Sequence, residues 1–281
     1  MIVFIADFFV EHILGGGELN NEECIRILTE QGCKVEKIQS HLVTPQFIKS
    51  HKGDKFIVAN FLNIQPLARQ HLLDKDYVIY EHDHKYLRTR DPAPYPNFLA
   101  PKEELVNLDF YRSARAVLCQ SQFHLDIIQR NTDLSNLVNL SGNLWSERAL
   151  EVIQHIARKP KQKKCSVINS PILHKNTQDA VRYCQAKNLD YELVAGNVYE
   201  EFLKTLGANQ TFVFLPKTPE TLSRIVIEAK MMNMSVRINK MLGASREPWF
   251  ALKGDELIGI VKEMRERIPA TILEALGCDC T

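Results

Sequence analysis

Short runs rich in valine and isoleucine alternate with amphipathic stretches of helical period along the whole chain, and this alternation constrains the fold more than any other feature. The runs 2–6, 35–39, 55–60, 77–81, 116–120 and 137–140 read as strands. Helical segments lie between them near 18–31, 45–51, 65–73, 103–114 and 121–131. Segments such as FIVAN and YVIYE are almost wholly apolar, as strands covered on both faces must be. A basic, proline-containing stretch, 157–164, reads as a solvated linker or, more sharply, a phosphate-contacting patch. The rhythm then restarts, with strands 166–169, 191–195, 211–215 and 235–238 and helices 176–187, 198–206 and 221–232. The stretch 255–276 is helical, and Pro269 is expected to kink or divide it. The fold class is therefore α/β, with two Rossmann-like domains at 1–150 and 151–281, the second small and carrying the terminal helices, and a hinge near 145–165.

With 281 residues the chain is long for one such unit and comfortable for two. Formal net charge is +1, so no global field advertises nucleic acid or membrane as partner. The start, MIVFIADFF, lacks a cationic region and reads as a buried strand, not a signal peptide. No apolar run approaches the roughly 18 residues that span a bilayer. Seven scattered cysteines point to free thiols in a reducing cytoplasm, and the terminal pair Cys278 and Cys280 is too small a set for a closed zinc site. The expected location is cytoplasmic, with peripheral membrane attachment, or the host cytoplasm for a viral protein, left open.

The strongest chemical signal is PETLSRIVIEA, 219–229, which follows the apolar FVFLP. Glu220 sits at the expected helix mouth, and Glu228 lies about 12 Å further along at roughly 1.5 Å per residue. The N–H groups of Thr221, Leu222 and Ser223 would stand at the positive end of the helix dipole, a ready site for a diphosphate. The bland reading is a favourable first-turn charge and a solvated face residue. Gly15, Gly16 and Gly17 follow the first strand and open a helix, so that backbone can approach a ligand closely, or merely turn. Glu81-His82-Asp83-His84 ends a buried strand, and a metal site using His82, His84 and a carboxylate is a rival reading there. The four prolines at 92, 94, 96 and 101 forbid a helix in the long segment 84–101, which leaves the carboxyl end of that strand.

The glutamate pair resembles the donor-binding signature of the GT-B fold glycosyltransferases, above all the retaining family 4. That resemblance implies two domains facing across a cleft and a nucleotide-diphosphate sugar as co-substrate, with no cofactor and no metal. It implies that Glu220 contacts the transferred hexose and Glu228 the nucleotide ribose. It implies that Gly16 and Gly17 belong to a Gly-Gly-x-Glu loop, that His82 and Asp83 face the sugar, and that Lys175 pairs with the donor phosphates. Gly196 and Asn197 stand where the base is commonly held. The sequence departs from the pattern where Leu222 and Ser223 replace Phe-Gly, and where an expected arginine before Lys175 is missing. Lys217 or Arg224 could supply the second charge.

The reading is a metal-independent hexosyltransferase acting with retention on a hydroxyl acceptor: a glycan, lipid-linked sugar, small molecule or DNA. Lys85, Arg88 and Arg90 make a hydroxymethylated DNA base, as in viral DNA-glucosylating enzymes, one alternative. A non-catalytic sugar-nucleotide-binding protein is another, and a metal-dependent hydrolase at 81–84 a third.

Overall fold

The computed structural model describes residues 1–278. The chain folds into two compact units. One is Met1–Leu144 with the chain from Met264 onward, and the other is Trp145–Glu263.

The first unit alternates β1 (Ile2–Ala6), α1 (Gly16–Glu30), β2 (Val35–Gln39), α2 (Pro45–Ser50), β3 (Lys55–Val58), α3 (Pro66–Leu72), β4 (Tyr77–Tyr80), α4 (Leu108–Ser113), β5 (Ala116–Cys119), α5 (Gln122–Asn131) and β6 (Leu137–Asn139). All six strands form one parallel sheet in the order β2-β1-β3-β4-β5-β6. The composition of each strand follows its place. β1, β4 and β5 are interior and buried at every residue, whereas the edges β2 and β6 are half-buried throughout. Val3, Ile5, Phe56, Val58, Tyr77, Ile79 and Val117 form the centre of the core. Ser121 caps α5 by accepting from the His124 N–H at 3.1 Å, as a serine at this place should.

The second unit contains α6 (Glu147–Ala157), β7 (Gln162–Ile168), α7 (Thr177–Ala186), β8 (Tyr191–Val194), α8 (Tyr199–Leu206), β9 (Asn209–Phe214), α9 (Arg224–Met231) and β10 (Ser235–Ile238). Its four strands are parallel, in the order β10-β9-β7-β8. A small core of Cys165, Val167, Ala180, Cys184 and Val213 lies between sheet and helix.

Four expectations need correction. The region given to a hinge carries α6, whose buried Ala149, Leu150, Ile153 and Ile156 make one apolar stripe. The basic linker is shorter than expected, because Gln162–Lys164 open β7 with exposed side chains and Lys161 donates to the Gly207 carbonyl at 2.6 Å. Pro269 does not divide α10 (Gly254–Leu276). Met264, Ile268, Ile272 and Leu276 recur every fourth residue and are all buried, and this stripe offsets the one lost N–H. The same stripe groups the end of the chain with the first unit, where Arg265 pairs with Glu23 and any side chain on Gly142 would collide with Met264.

Cys24, Cys119, Cys165, Cys184 and Cys278 are free, whereas Cys33 is disulfide-bonded, so the expectation of thiols throughout fails there. Cys280 lies outside the described residues.

Candidate active site

In an open parallel sheet, ligands bind beyond the carboxyl ends of the strands, where neighbouring strands send their connections to opposite sides. In the second unit that switch falls between β7 and β9. Lys175 follows β7 and Glu220 follows β9, and their side chains meet there: Nζ lies 2.8 Å from Oε1, both groups largely buried. The Lys175 ammonium also lies 5.8 Å from the Phe214 ring centroid.

Glu220 is held by its backbone. Its N–H donates to the Met241 carbonyl at 2.8 Å, its carbonyl accepts from Gly243, and the Leu222 carbonyl accepts from Ala244. The two segments approach so closely that a Cβ on Gly243 would stand 2.6 Å from the Thr221 carbonyl carbon and 2.7 Å from the Glu220 oxygen. Only glycine fits there.

The helix mouth lies three residues later than the sequence placed it. α9 begins at Arg224, Thr221 and Leu222 belong to the preceding turn, and the Leu222 side chain is wholly buried. Leu222 is therefore a packing residue. Ser223 caps the helix with φ 76° and ψ 84°, a left-handed conformation that glycine adopts easily and serine at a cost of about 1–2 kcal/mol. Its Oγ is buried without a hydrogen-bond partner.

Glu228 is 2% exposed. Its Oε1 accepts from Tyr199 Oη at 2.6 Å and from Trp145 Nε1 at 2.9 Å, with Arg224 Nε at 3.8 Å. The Arg224 guanidinium stacks 4.3 Å from the Trp145 ring centroid. The bland reading of Glu228 as a solvated face residue is therefore wrong. Burial and the neighbouring carboxylate push the Tyr199 phenol well up, so it remains a donor. Trp145 and Tyr199 were not singled out from sequence. The available signal was aromatic residues with polar tips beside helix starts.

Lys217 is exposed beyond β9, and its N–H donates to the His174 carbonyl. Gly196 and Asn197 are exposed at the carboxyl end of β8. A Cβ on Gly196 would stand 3.1 Å from that of Phe202, so the glycine also lets this turn pack on α8.

A second polar group forms in the first unit. Gly16 and Gly17 open α1, and a Cβ on Gly17 would stand 3.9 Å from the His82 ring. His82 Nε2–H donates to Asn21 Oδ1 at 2.7 Å, and its Nδ1 accepts from the Gln120 amide. These partners fix the Nε2–H tautomer. Beneath it, Lys85 and Glu81 form an ion pair with both side chains 0% exposed, and Tyr111 also donates to Glu81. Asp83 pairs with Lys85 at 2.8 Å and with Arg90. Burial pushes the Asp83 carboxyl up, but Lys85 and Arg90 outweigh it and hold it well below the usual range. His84 points into the core, against Tyr86 and His124, and does not share the site with His82. Among the described residues no group of three or more His, Cys, Asp or Glu is arranged to hold a metal ion, and no helix is long and apolar enough to cross a membrane.

Compared by sequence, the chain matches no protein-family model and no curated protein. Solved structures do match over its whole length. The Anabaena HepE protein, solved with UDP and glucose, superposes with a TM-score of 0.56 at 14% identity, covering 100% of this chain and 93% of that one. The chain has the fold of the GT-B glycosyltransferases. WaaG, a glycosyltransferase involved in lipopolysaccharide biosynthesis, shares this GT-B fold with a TM-score of 0.54, 12% identity and coverage of 98% and 93%. An alpha-glucosyltransferase solved with UDP and a 13-mer DNA containing an HMU base gives 0.51, 12%, 98% and 95%.

Proposed function

We propose that the chain is a glycosyltransferase that moves a hexose from a nucleotide-diphosphate sugar to a hydroxyl acceptor. The observation that carries this reading is the meeting of Lys175 and Glu220 over the β7–β9 switch point, beside the unpaired Ser223 hydroxyl. The GT-B neighbours solved with UDP, one of them also with glucose, support it by fold.

A cation and a carboxylate in contact serve different parts of one donor. In this reading Lys175 turns to the diphosphate, joined by the α9 N-terminus and the Ser223 hydroxyl, while Glu220 accepts hydrogen bonds from hexose hydroxyls. Glu228 accepts from the ribose. Gly196 and Asn197 border the base, and Lys217 adds an exposed charge. The acceptor oxygen bonds to the anomeric carbon as the bond to the β-phosphate oxygen breaks. The acceptor proton passes to that departing oxygen, on the same face, which retains configuration. Catalysis then rests on orientation and on stabilising the leaving diphosphate, with no metal needed for either. His82, with both ring nitrogens engaged by amides, is an oriented polar group and not a general base, and Asp83 orders its loop.

Lys85, Arg88 and Arg90 do not favour a DNA acceptor. Lys85 is buried on Glu81 and Asp83, Arg90 pairs with Asp83, and Arg88 lies 3.8 Å from Glu104. Arg88 and Arg90 are exposed, but each charge is already set against a carboxylate, which weakens its use on phosphates.

The test is Glu220→Gln, assayed for donor turnover against acceptor or water and for binding of nucleotide diphosphates. Turnover is expected to fall about ten- to a hundredfold with the fold intact, because a charge-assisted hydrogen bond to the reacting sugar is worth about 1.5–3 kcal/mol. Unchanged turnover sinks the assignment, and donor binding without any turnover in the native chain identifies a binding protein instead.

A further inference from the structure

Glu228 differs from an ordinary ligand-binding carboxylate in how its two oxygens are used. Its neighbours converge on one of them. Tyr199 and Trp145 donate to Oε1 at 2.6 and 2.9 Å, and Arg224 approaches the same atom. Oε2 accepts from neither aromatic donor. The two donors come from separate elements: Tyr199 is the first residue of α8, after the turn that leaves β8, and Trp145 precedes α6. Glu228 itself lies in the second turn of α9. Two helices and the segment before α6 thus fix one carboxylate, and its rotation is set before any ligand arrives.

A carboxylate free at both oxygens can grip two neighbouring hydroxyls together. One whose first oxygen already accepts two short hydrogen bonds has its lone pairs there in use. We propose that Tyr199 and Trp145 are positioning residues that saturate Oε1 of Glu228, leaving Oε2 to accept from a single ribose hydroxyl of the donor. This rests on the donor reading above and goes beyond it. It assigns ribose discrimination to a one-point contact, and it gives Tyr199 and Trp145 an action through Glu228 with no touch on the ligand. Trp145 has a second tie to the same group, because its ring carries the Arg224 guanidinium that flanks Glu228.

The experiment is calorimetric titration of the full chain with UDP, ADP and GDP, then with the 2′-deoxy and 3′-deoxy forms of whichever binds. In the native chain one deoxy form should bind about tenfold or more weaker and the other nearly as well as the parent, as the loss of one charge-assisted hydrogen bond predicts. Glu228→Gln should weaken the parent and shrink that preference to about twofold. Tyr199→Phe removes one donor and keeps the ring, Trp145→Phe removes the other and keeps an aromatic face, and each should lower the preference by about threefold or more. A merely structural loosening would weaken parent and deoxy forms alike, leaving the ratio unmoved. If no nucleotide binds the native chain, the donor reading fails. If the nucleotide binds but both deoxy forms lose equally, or if neither phenylalanine variant changes the ratio, the donor reading stands and this inference is overturned. Should one of the two variants fail to fold, the other decides.

Discussion

Replacing Lys85 by methionine is the sharpest test of how the strand end beneath His82 is held. Lys85 Nζ faces two carboxylates, Glu81 and Asp83, and both its side chain and that of Glu81 are 0% exposed. Asp83 keeps Arg90 after the change, so the burden falls on Glu81. Breaking one side of a buried pair typically costs about 3–5 kcal/mol. Protonation sets a ceiling on that cost. Burial already pushes the Glu81 carboxyl up against the opposing pull of Lys85, and without Lys85 it becomes neutral in the folded state. Carrying a proton at pH 7 on a group whose unfolded pKa is near 4.3 costs about 4 kcal/mol, and that cost falls by about 1.4 kcal/mol for each unit the pH is lowered. The sign follows from linkage. A carboxyl whose folded pKa is raised binds its proton more tightly when folded, so stability is fully present below the unfolded pKa and lost as pH rises. Lys85→Met should therefore lose about 4 kcal/mol at pH 7 and only about 1 kcal/mol at pH 5. Amide exchange along Tyr77–Tyr80 reports the first unit alone and avoids treating a two-unit chain as one transition. Adding Glu81→Gln should recover most of the loss and flatten the pH dependence. A deficit below about 1 kcal/mol at both pH values, or one that does not change with pH, refutes the reasoning.

Two further outcomes concern a buried histidine and a crowded glycine. Burial lowers His124 to about 4, with its Nε2–H donating to the Asp83 carbonyl, so its neutral form belongs to the fold. Its contribution is complete above the unfolded value near 6.5 and lost as pH falls through about 4, and His124→Asn should blunt acid unfolding of the first unit in that window, measured by circular dichroism. Gly243→Ala should destabilise the second unit by about 1–3 kcal/mol and weaken nucleotide-diphosphate binding, because the Cβ displaces the turn that carries Glu220, and a melting curve with and without UDP checks both effects.

Much of the architecture was written in local patterns. β1, β2 and β10 fall on the residues their apolar or β-branched composition indicated, and Ser121 caps α5, because strand burial and capping depend on near neighbours. Glu220 and Glu228 stand out in the sequence because a turn at the end of a strand with carboxylates at fixed spacing is a local motif, whereas Lys175 stands out only through the resemblance to GT-B glycosyltransferases. α6 reads as hinge from sequence because it follows an irregular turn and its stripe is short. The start of α9 was placed too early, because no sequence rule foresees a serine in the left-handed region at the cap. The partners were beyond reach for a different reason. Trp145, Tyr199 and Gly243 reach Glu228 and Glu220 from 83, 29 and 23 residues away along the chain. Periodicity fixes which residues face inward, but the pairing of one donor with one carboxylate oxygen depends on the order and twist of the strands, and only the folded chain supplies that.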